Sequence, residues 1–390
     1  MSSSGGDRKS GGHGSRKPHA SRTGNRSFGG RGRGGNRGRG PKGDLIDVSK
    51  FINKAVVTEQ TQEFVPKHNF SDFAVDNMIK RATLARGYTI PTPIQDSAIP
   101  HILEGKDLVG IANTGTGKTG AFLVPLLNKV LNGKKEMVMI LAPTRELAIQ
   151  IDQELKELTA FINPGLDPYK KIHSVCCVGG MPIFKQIKDL KFLHNFVIGT
   201  PGRIKDLIEK KRIHLEDFST IVLDEADRML DMGFIADMRF VMAGMPKDRQ
   251  TLFFSATLSQ EIEKLIHEFL NHPVRVSVKT GDTSKNVDQD VIRMSAGESK
   301  VDKLHAMLND PEFSKVIIFG RTKHGVEKLA QMLIKKGLKA DALHGDKNHS
   351  HRQRALGKFK DNQVNILVAT DVAARGLDIP NVSHVINYDI

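Results

Sequence analysis

From about residue 67 onward, short apolar runs rich in β-branched residues alternate with amphipathic stretches of helical period, and this alternation is what most limits the folds open to the chain. Residues 107–111, 137–142, 173–178, 196–199, 220–223 and 251–254 read as strands, and 122–132, 145–161 and 260–271 as helices. Strands apolar along their whole length need cover on both faces, and intervening helices supply it, so the pattern predicts an α/β fold with a parallel sheet. A polar, glycine-containing break follows at 278–285. The alternation then restarts, with helices at 299–308, 323–336 and 351–359 and strands at 315–319, 339–343 and 365–369. Two α/β domains are expected, 67–277 and 291–390, joined by a linker at 278–290. A chain of 390 residues suits two domains of this size. In such sheets ligands bind beyond the carboxyl ends of the strands.

Charge separates the N-terminus from the rest. Residues 1–43 hold eleven Lys/Arg against the single Asp7, which is +10 of the total of +14. The tract Arg31-Gly32-Arg33-Gly34-Gly35-Asn36-Arg37-Gly38-Arg39-Gly40 has nothing to bury and cannot offset its ordering entropy, so 1–43 is expected to be a disordered basic tail. Such a tail suits a phosphate-seeking arm for single-stranded RNA; the plainer alternative is a solubilising tail. Residues 44–66 show no period and read as a linker. Cys176 and Cys177 are adjacent, which suits a disulfide poorly, and they lie in an apolar run that reads as a buried strand. With no disulfide framework and no zinc spacing, the chain suits a reducing cytoplasm. No apolar run reaches the roughly 20 residues of a membrane span, and no apolar signal core is present, so no membrane partner is expected.

Ala112-Asn113-Thr114-Gly115-Thr116-Gly117-Lys118-Thr119 follows a strand and opens a helix, and it fits the phosphate-loop pattern with Ala in place of the first Gly. Gly115 and Gly117 let the backbone wrap so that successive N–H groups face phosphate oxygens. Lys118 supplies a charge to the β- and γ-phosphates, and the Thr119 hydroxyl helps to hold Mg²⁺. Asp224-Glu225-Ala226-Asp227 follows the apolar run 221–223. Beside a phosphate loop, Asp224 is expected to hold Mg²⁺, largely through water, and Glu225 to orient and deprotonate the attacking water.

The sequence Asp-Glu-Ala-Asp, together with this loop, resembles the DEAD-box RNA helicases, and the resemblance runs from Phe70 to the end of the chain. It implies two RecA-like domains, ATP and Mg²⁺ as cofactors, and RNA as partner. The stretch Gly87-Tyr88-Thr89-Ile90-Pro91-Thr92-Pro93-Ile94-Gln95 is similar to the Q motif, here spanning 68–96. By that likeness Gln95 reads the adenine edge and Phe70 stacks on the base. Ser255-Ala256-Thr257 resembles the motif that couples nucleotide to RNA, with Ser255 and Thr257 bonded to the Asp-Glu-Ala-Asp acids. Pro143-Thr144-Arg145-Glu146-Leu147, Gly179-Gly180 and Thr200-Pro201-Gly202-Arg203 resemble RNA contacts of the first domain. Arg321-Thr322, Gly345-Asp346 and Thr370 resemble those of the second. Residues 369–378 match motif V, which implies Gly376 near the phosphates and Asp378 on the ribose. The wording of 318–325 and of motif V is most similar to the bacterial RhlE-like branch.

The chain departs from the family at Asn113 and His349, where Gln is usual, and His349 leaves the contacts near Gly345 open. His344, His349 and His351 lack a completing ligand and are not expected to bind metal. The Arg-rich motif VI that follows motif V in the family is absent, because the sequence stops at Ile390 after one further strand at 382–388. The expectation is a fragment of an ordinary enzyme. Otherwise the chain is an ATP-gated RNA-binding clamp with little turnover, since an arginine finger is worth on the order of 10³–10⁵ in rate. A DNA-directed motor is the remaining alternative. The resemblance implies a monomer acting on single strands and short duplexes without base specificity, with ribonucleoprotein partners.

Overall fold

The computed structural model describes residues 64–133, 136–278, 287–295, 297–374 and 379–389. The tail 1–43, residues 44–63 and 279–286 of the two linkers, and the motif V residues Gly376 and Asp378 lie outside them.

Two parallel sheets form the two lobes. In the first, α1 (Asn77–Ala85) and α2 (Pro93–Leu103) lead into β1 (Leu108–Ile111), then α3 (Lys118–Asn132), β2 (Val138–Leu141), α4 (Arg145–Ile162), β3 (Ser174–Cys177), α5 (Ile183–Asp189), β4 (Phe196–Gly199), α6 (Pro201–Glu209), β5 (Thr220–Leu223), α7 (Ala226–Asp231), α8 (Ile235–Gly244), β6 (Gln250–Ser255), α9 (Gln260–Phe269) and β7 (Val274–Ser277). The strands lie in the order β3-β4-β2-β5-β6-β1-β7, all parallel. The interior strands β2, β4 and β5 are buried at every residue, so one core forms on each face. Adjacent residues of β6 divide between them. Phe254 packs on Phe122 of α3 at 5.5 Å, while Phe253 joins Met139, Leu223 and Val241 on the other side.

The strand β7 was not among those expected from the sequence. It is a four-residue edge strand with only Val276 buried, so its Val-Arg-Val-Ser pattern is too short to stand out from the neighbouring break. The other first-lobe strands lie within a residue of their expected positions. Cys176 and Cys177 are free thiols on β3, with Cys177 fully buried.

The second lobe runs α10 (Lys300–Leu308), β8 (Val316–Phe319), α11 (Lys323–Lys335), β9 (Ala340–Leu343), α12 (His349–Lys360), β10 (Ile366–Ala369), α13 (Asp371–Ala374) and β11 (His384–Asn387). Its sheet order is β11-β8-β10-β9, again parallel. Ser299, Thr322 and Asn348 cap α10, α11 and α12, accepting from backbone N–H groups in the first turn. Among the described residues, no helix is long and apolar enough to cross a membrane.

Candidate nucleotide site and adjoining rim

The strand order of the first lobe sorts the motifs. The loops after β1, β6 and β5, three hydrogen-bonded neighbours, carry Ala112–Thr119, Ser255–Thr257 and Asp224–Asp227. Those after the next three strands, β2, β4 and β3, carry Pro143–Glu146, Thr200–Arg203 and Gly179–Gly180. One half of the rim therefore holds the phosphate-loop chemistry and the other half the residues similar to RNA contacts. Two backbone bonds tie the loop bases to their neighbours: Ala112 N–H donates to Ser255 O (3.0 Å) and Asp224 N–H to Leu141 O (3.0 Å).

In the phosphate loop, Gly115 and Gly117 have φ of +81° and +89°, a region that L-residues avoid. A Cβ on Gly117 would also lie 2.7 Å from the Gln95 amide nitrogen. Lys118 is only 6% exposed, and its ammonium donates to Ala112 O at 3.0 Å. Its charge is therefore already held under the loop. The Thr114 hydroxyl donates to Glu225 Oε1 at 3.2 Å, which connects the loop to the acidic pair.

Asp224 is buried, and burial pushes its carboxyl up to about 6. The Lys118 charge pulls it down and the Glu225 charge pushes it further up. Glu225 sits in the left-handed region at φ +51°, an unfavourable position for a non-glycine residue that aims the carboxylate toward the loop. Its Oε2 accepts from Arg228 Nη1 at 2.9 Å, and Arg228 Nη2 also reaches Thr114 Oγ1 at 3.4 Å. Arg228 was not singled out from the sequence. The available signal was its i,i+3 spacing from Glu225 at the start of a helix.

The Ser-Ala-Thr segment meets a different acid from the pair at the catalytic position. Asp227 Oδ2 accepts from Ala256 N (3.2 Å), Thr257 N (3.0 Å) and Thr257 Oγ1 (3.0 Å). The Ser255 hydroxyl, expected on an acid, instead donates to Thr257 O at 2.8 Å. It shapes the turn, and Thr257 makes the link.

The Q-motif residues pack against the loop. Gln95, 6% exposed, accepts from Thr92 N–H (2.9 Å) and donates to Gly117 O (3.0 Å), so its amide straps the motif to the loop and keeps one N–H and one lone pair. Asp96 holds the preceding segment by accepting from Lys67 N (2.9 Å) and His68 N (3.1 Å). Phe70 is also only 6% exposed, with Phe73 and Tyr88 each at 5.6 Å between ring centres. In this conformation it presents little of its face to a base.

On the other half of the rim, the Arg145 side chain lies over Gly179 and Gly180, where a side chain on Gly180 would collide with the guanidinium. Arg203 donates to Met181 O (3.1 Å) and to Gln186 Oε1 (2.8 Å). Thr144 caps α4 by accepting from Leu147 N–H at 3.2 Å, and Pro201 and Gly202 open α6 after Thr200. Burial lowers the Arg145 pKa, and the nearby Arg352 and Arg203 charges lower it further, so three guanidiniums converge here. Arg352 of α12 pairs with Glu146 at 2.7 Å and so links the second lobe to the start of α4.

In the second lobe, Arg321-Thr322, Gly345-Asp346 and Thr370 follow β8, β9 and β10, which are again neighbours. The Asp346 carboxylate is taken by Lys323 at 2.7 Å, so in this conformation it holds a lysine and presents no donor of its own. His344 Nε2 lies 3.0 Å from Glu327. Among the described residues, no three His, Cys, Asp or Glu side chains gather as a metal cluster.

Comparison with known proteins finds two family models along the chain. A DEAD/DEAH box helicase family model matches residues 92–265, and a helicase conserved C-terminal domain model matches 299–390. The chain is 42% identical over 323 residues to the ATP-dependent RNA helicase CshA of Limosilactobacillus reuteri, covering 82% of this chain and 63% of that protein. It therefore spans a little under two thirds of that relative's length. A DEAD box protein from the hyperthermophile Methanococcus jannaschii is 35% identical, with a TM-score of 0.50 over 84% of this chain and 86% of that one. S. cerevisiae Dbp5 bound to RNA and ADP BeF3 is 28% identical, with a TM-score of 0.68 over 82% of this chain and 80% of that one.

Proposed function

The chain belongs to the DEAD-box helicase family, and from that premise we propose that it is an ATP-dependent RNA helicase that couples ATP binding and hydrolysis to local remodelling of RNA. The observation that carries this reading is the divided rim, bridged within the nucleotide half by the three bonds from the Ser-Ala-Thr segment to Asp227. A phosphate loop and an acid pair alone suit many nucleotide hydrolases. Here they abut a row of arginine, threonine and glycine N–H donors suited to sugar and phosphate oxygens.

In this reading Lys118 leaves Ala112 O for the β- and γ-phosphates, and Thr114 and Arg228 hold Glu225 where it meets the attacking water. The Asp224 carboxylate, buried and pushed upward, fits a cationic neighbour, and with Thr119 it would hold Mg²⁺ largely through water. Held there, the ion would supply positive charge against the phosphate oxygens. Asp227 and Thr257 pass the state of the acid pair to the next strand end. Gln95 turns its remaining donor and acceptor to adenine, and Phe70 rotates out of its aromatic cluster to stack on the base. ATP favours a closed arrangement of the lobes, and closure bends one strand in a way a straight duplex cannot follow. Contacts to sugar and phosphate read few bases, and 2′-hydroxyl contacts favour RNA over DNA. The working place is the cytoplasm, and the wording of 318–325 and of motif V suits the RhlE-like branch.

The test uses Lys118→Ala. The wild-type chain is expected to bind a fluorescent ATP analogue, and to bind single-stranded RNA more tightly with a non-hydrolysable ATP analogue and Mg²⁺ than without. The variant should lose at least tenfold in nucleotide affinity, together with the nucleotide-dependent gain for RNA. If both affinities are unchanged in the variant, or if DNA of the same sequence gains as much as RNA, the reading fails.

A further inference from the structure

The first-lobe sheet ends at β3, whose outer edge pairs with no strand among the described residues. The bonds to β4 fix which backbone groups face outward. Phe196 N–H donates to His173 O (3.2 Å) and Thr200 N–H to Cys177 O (3.2 Å), so the odd-numbered residues face β4. The period of two then turns the N–H and C=O of Ser174 and Cys176 toward the free edge. Both residues line a groove of about 960 Å³, walled by Ile149 on one side and by Met181, Phe192 and Leu193 on the other.

Two features say what would fill it. Phe184, Phe192 and Leu193 are 74%, 64% and 60% exposed, a concentration of large apolar side chains on α5 and the turn after it. The flanking chain is basic. Between Lys170 and Leu193 it carries Lys170, Lys171, Lys185, Lys188 and Lys191 against the single acid Asp189. Across the groove the Asp152 carboxylate is already engaged by Lys156 (2.6 Å) and by the Ser174 hydroxyl (2.6 Å). Edge strands exposed in this way are commonly blunted by a charge or a proline on the strand itself, and Ser-Val-Cys-Cys has neither.

We propose that the β3 edge is a docking site for a partner protein's extended acidic segment, which adds to the sheet as an eighth strand. Backbone pairing with Ser174 and Cys176 sets the register. Alternate apolar side chains of the segment enter the groove against Ile149, Met181 and Phe192, and its carboxylates meet Lys185, Lys191 and their neighbours. The chain's own basic tail, with +10 over residues 1–43, has the wrong sign for this rim. None of its residues belongs to the phosphate loop or the acid pair, so the proposal is independent of the ATP reading. Met181, which accepts from Arg203 through its carbonyl, borders the RNA-like half of the rim, and oligouridylate therefore enters the test as a competitor.

The probe is a fluorescein-labelled peptide, Glu-Val-Glu-Ile-Glu-Val-Glu-Ile, titrated by anisotropy with the whole 390-residue chain. Saturable micromolar binding is expected. Only one edge of the peptide can pair with β3, so N-methylation of one set of alternate residues should weaken binding at least tenfold, and methylation of the other set less than threefold. The exposed-surface variant Lys185→Glu/Lys191→Glu should also lose at least tenfold, and a peptide with Lys in place of Glu should not bind. The proposal is overturned if no saturable binding occurs up to 1 mM peptide, or if both methylated sets bind alike. It is likewise overturned if oligouridylate displaces the peptide and itself loses affinity for the double variant, which would make the groove a nucleic-acid surface. Dimers of the chain that the peptide dissociates would assign the edge to a second copy and overturn it too.

Discussion

Replacing Asp224 with Asn should make the protein more stable when neither nucleotide nor Mg²⁺ is supplied. Burial holds this carboxyl at about 6 against an ordinary 3.8, so the folded state favours the protonated form. Between roughly pH 4 and 6 the folded chain then binds more protons than the unfolded chain, and the stability contributed by this group falls as pH rises through that window. Above it the full penalty of about two pH units, or ~3 kcal/mol, is present. Asn cannot ionise, keeps the acceptor for Glu225 N–H (3.0 Å in the wild type), and avoids the penalty. It also removes the anion beside the buried Lys118, which offsets part of the gain. The expected net is about 1–3 kcal/mol at pH 7, or roughly 3–10 °C in the transition of the first lobe. The assay is calorimetric unfolding of both proteins in EDTA from pH 4 to 8. The advantage of the variant should grow from near zero at pH 4 to a plateau above pH 6. With Mg²⁺ and saturating ATP most or all of this advantage should disappear, since ligand at about 100 times its Kd adds about 2.7 kcal/mol to the wild type that binds it. A variant that melts at or below the wild type at pH 7, or whose advantage does not vary with pH, refutes this account of the acid pair.

Three further outcomes follow from the same geometry. Arg228→Ala removes the bond to Glu225 Oε2 and the reach to Thr114, so ATP turnover relative to the wild-type chain should fall about tenfold while KM changes less than threefold, because Arg228 orients the base and touches no loop backbone. Arg228→Lys should restore only part of the loss, since an ammonium cannot span both partners. Thr257→Val keeps two of the three bonds to Asp227; stability should fall by no more than about 1 kcal/mol, and the ATP-dependent gain in RNA affinity, read by anisotropy, should shrink roughly fivefold. Gly117→Ala must adopt φ +89° and displace the Gln95 amide, so unfolding should show a loss of about 1–3 kcal/mol and titration with a fluorescent ATP analogue at least a tenfold loss of affinity.

Much of the candidate site is legible in the sequence, because its residues follow apolar runs and the chain direction is fixed there by local rules. A buried parallel strand ending in Gly-Thr-Gly-Lys or Asp-Glu-Ala-Asp must present those residues at its carboxyl end, and Gly115 and Gly117 announce their positive φ by lacking a Cβ. What was not legible is how these ends neighbour one another. That Thr257 finds Asp227 among the acids of the segment, while the Ser255 hydroxyl turns to Thr257 O, depends on how the end of β6 packs beside the end of β5. The burial of Phe70 among Phe73 and Tyr88 and the strapping of Gln95 to Gly117 are packing outcomes, invisible to a motif that specifies only residue types.

The sequence by itself determined much of the local conformation: which stretches extend, apart from the short edge strand β7, where the glycines turn, and which polar residues stand at strand ends. Only the tertiary structure decided the order β3-β4-β2-β5-β6-β1-β7, and with it the division of the rim into a nucleotide half and an RNA-like half. The physical reason is range. Periodicity and φ preferences act over a few residues, whereas strand order is set by which apolar faces cover one another, as when Phe253 and Phe254 send adjacent rings into opposite cores.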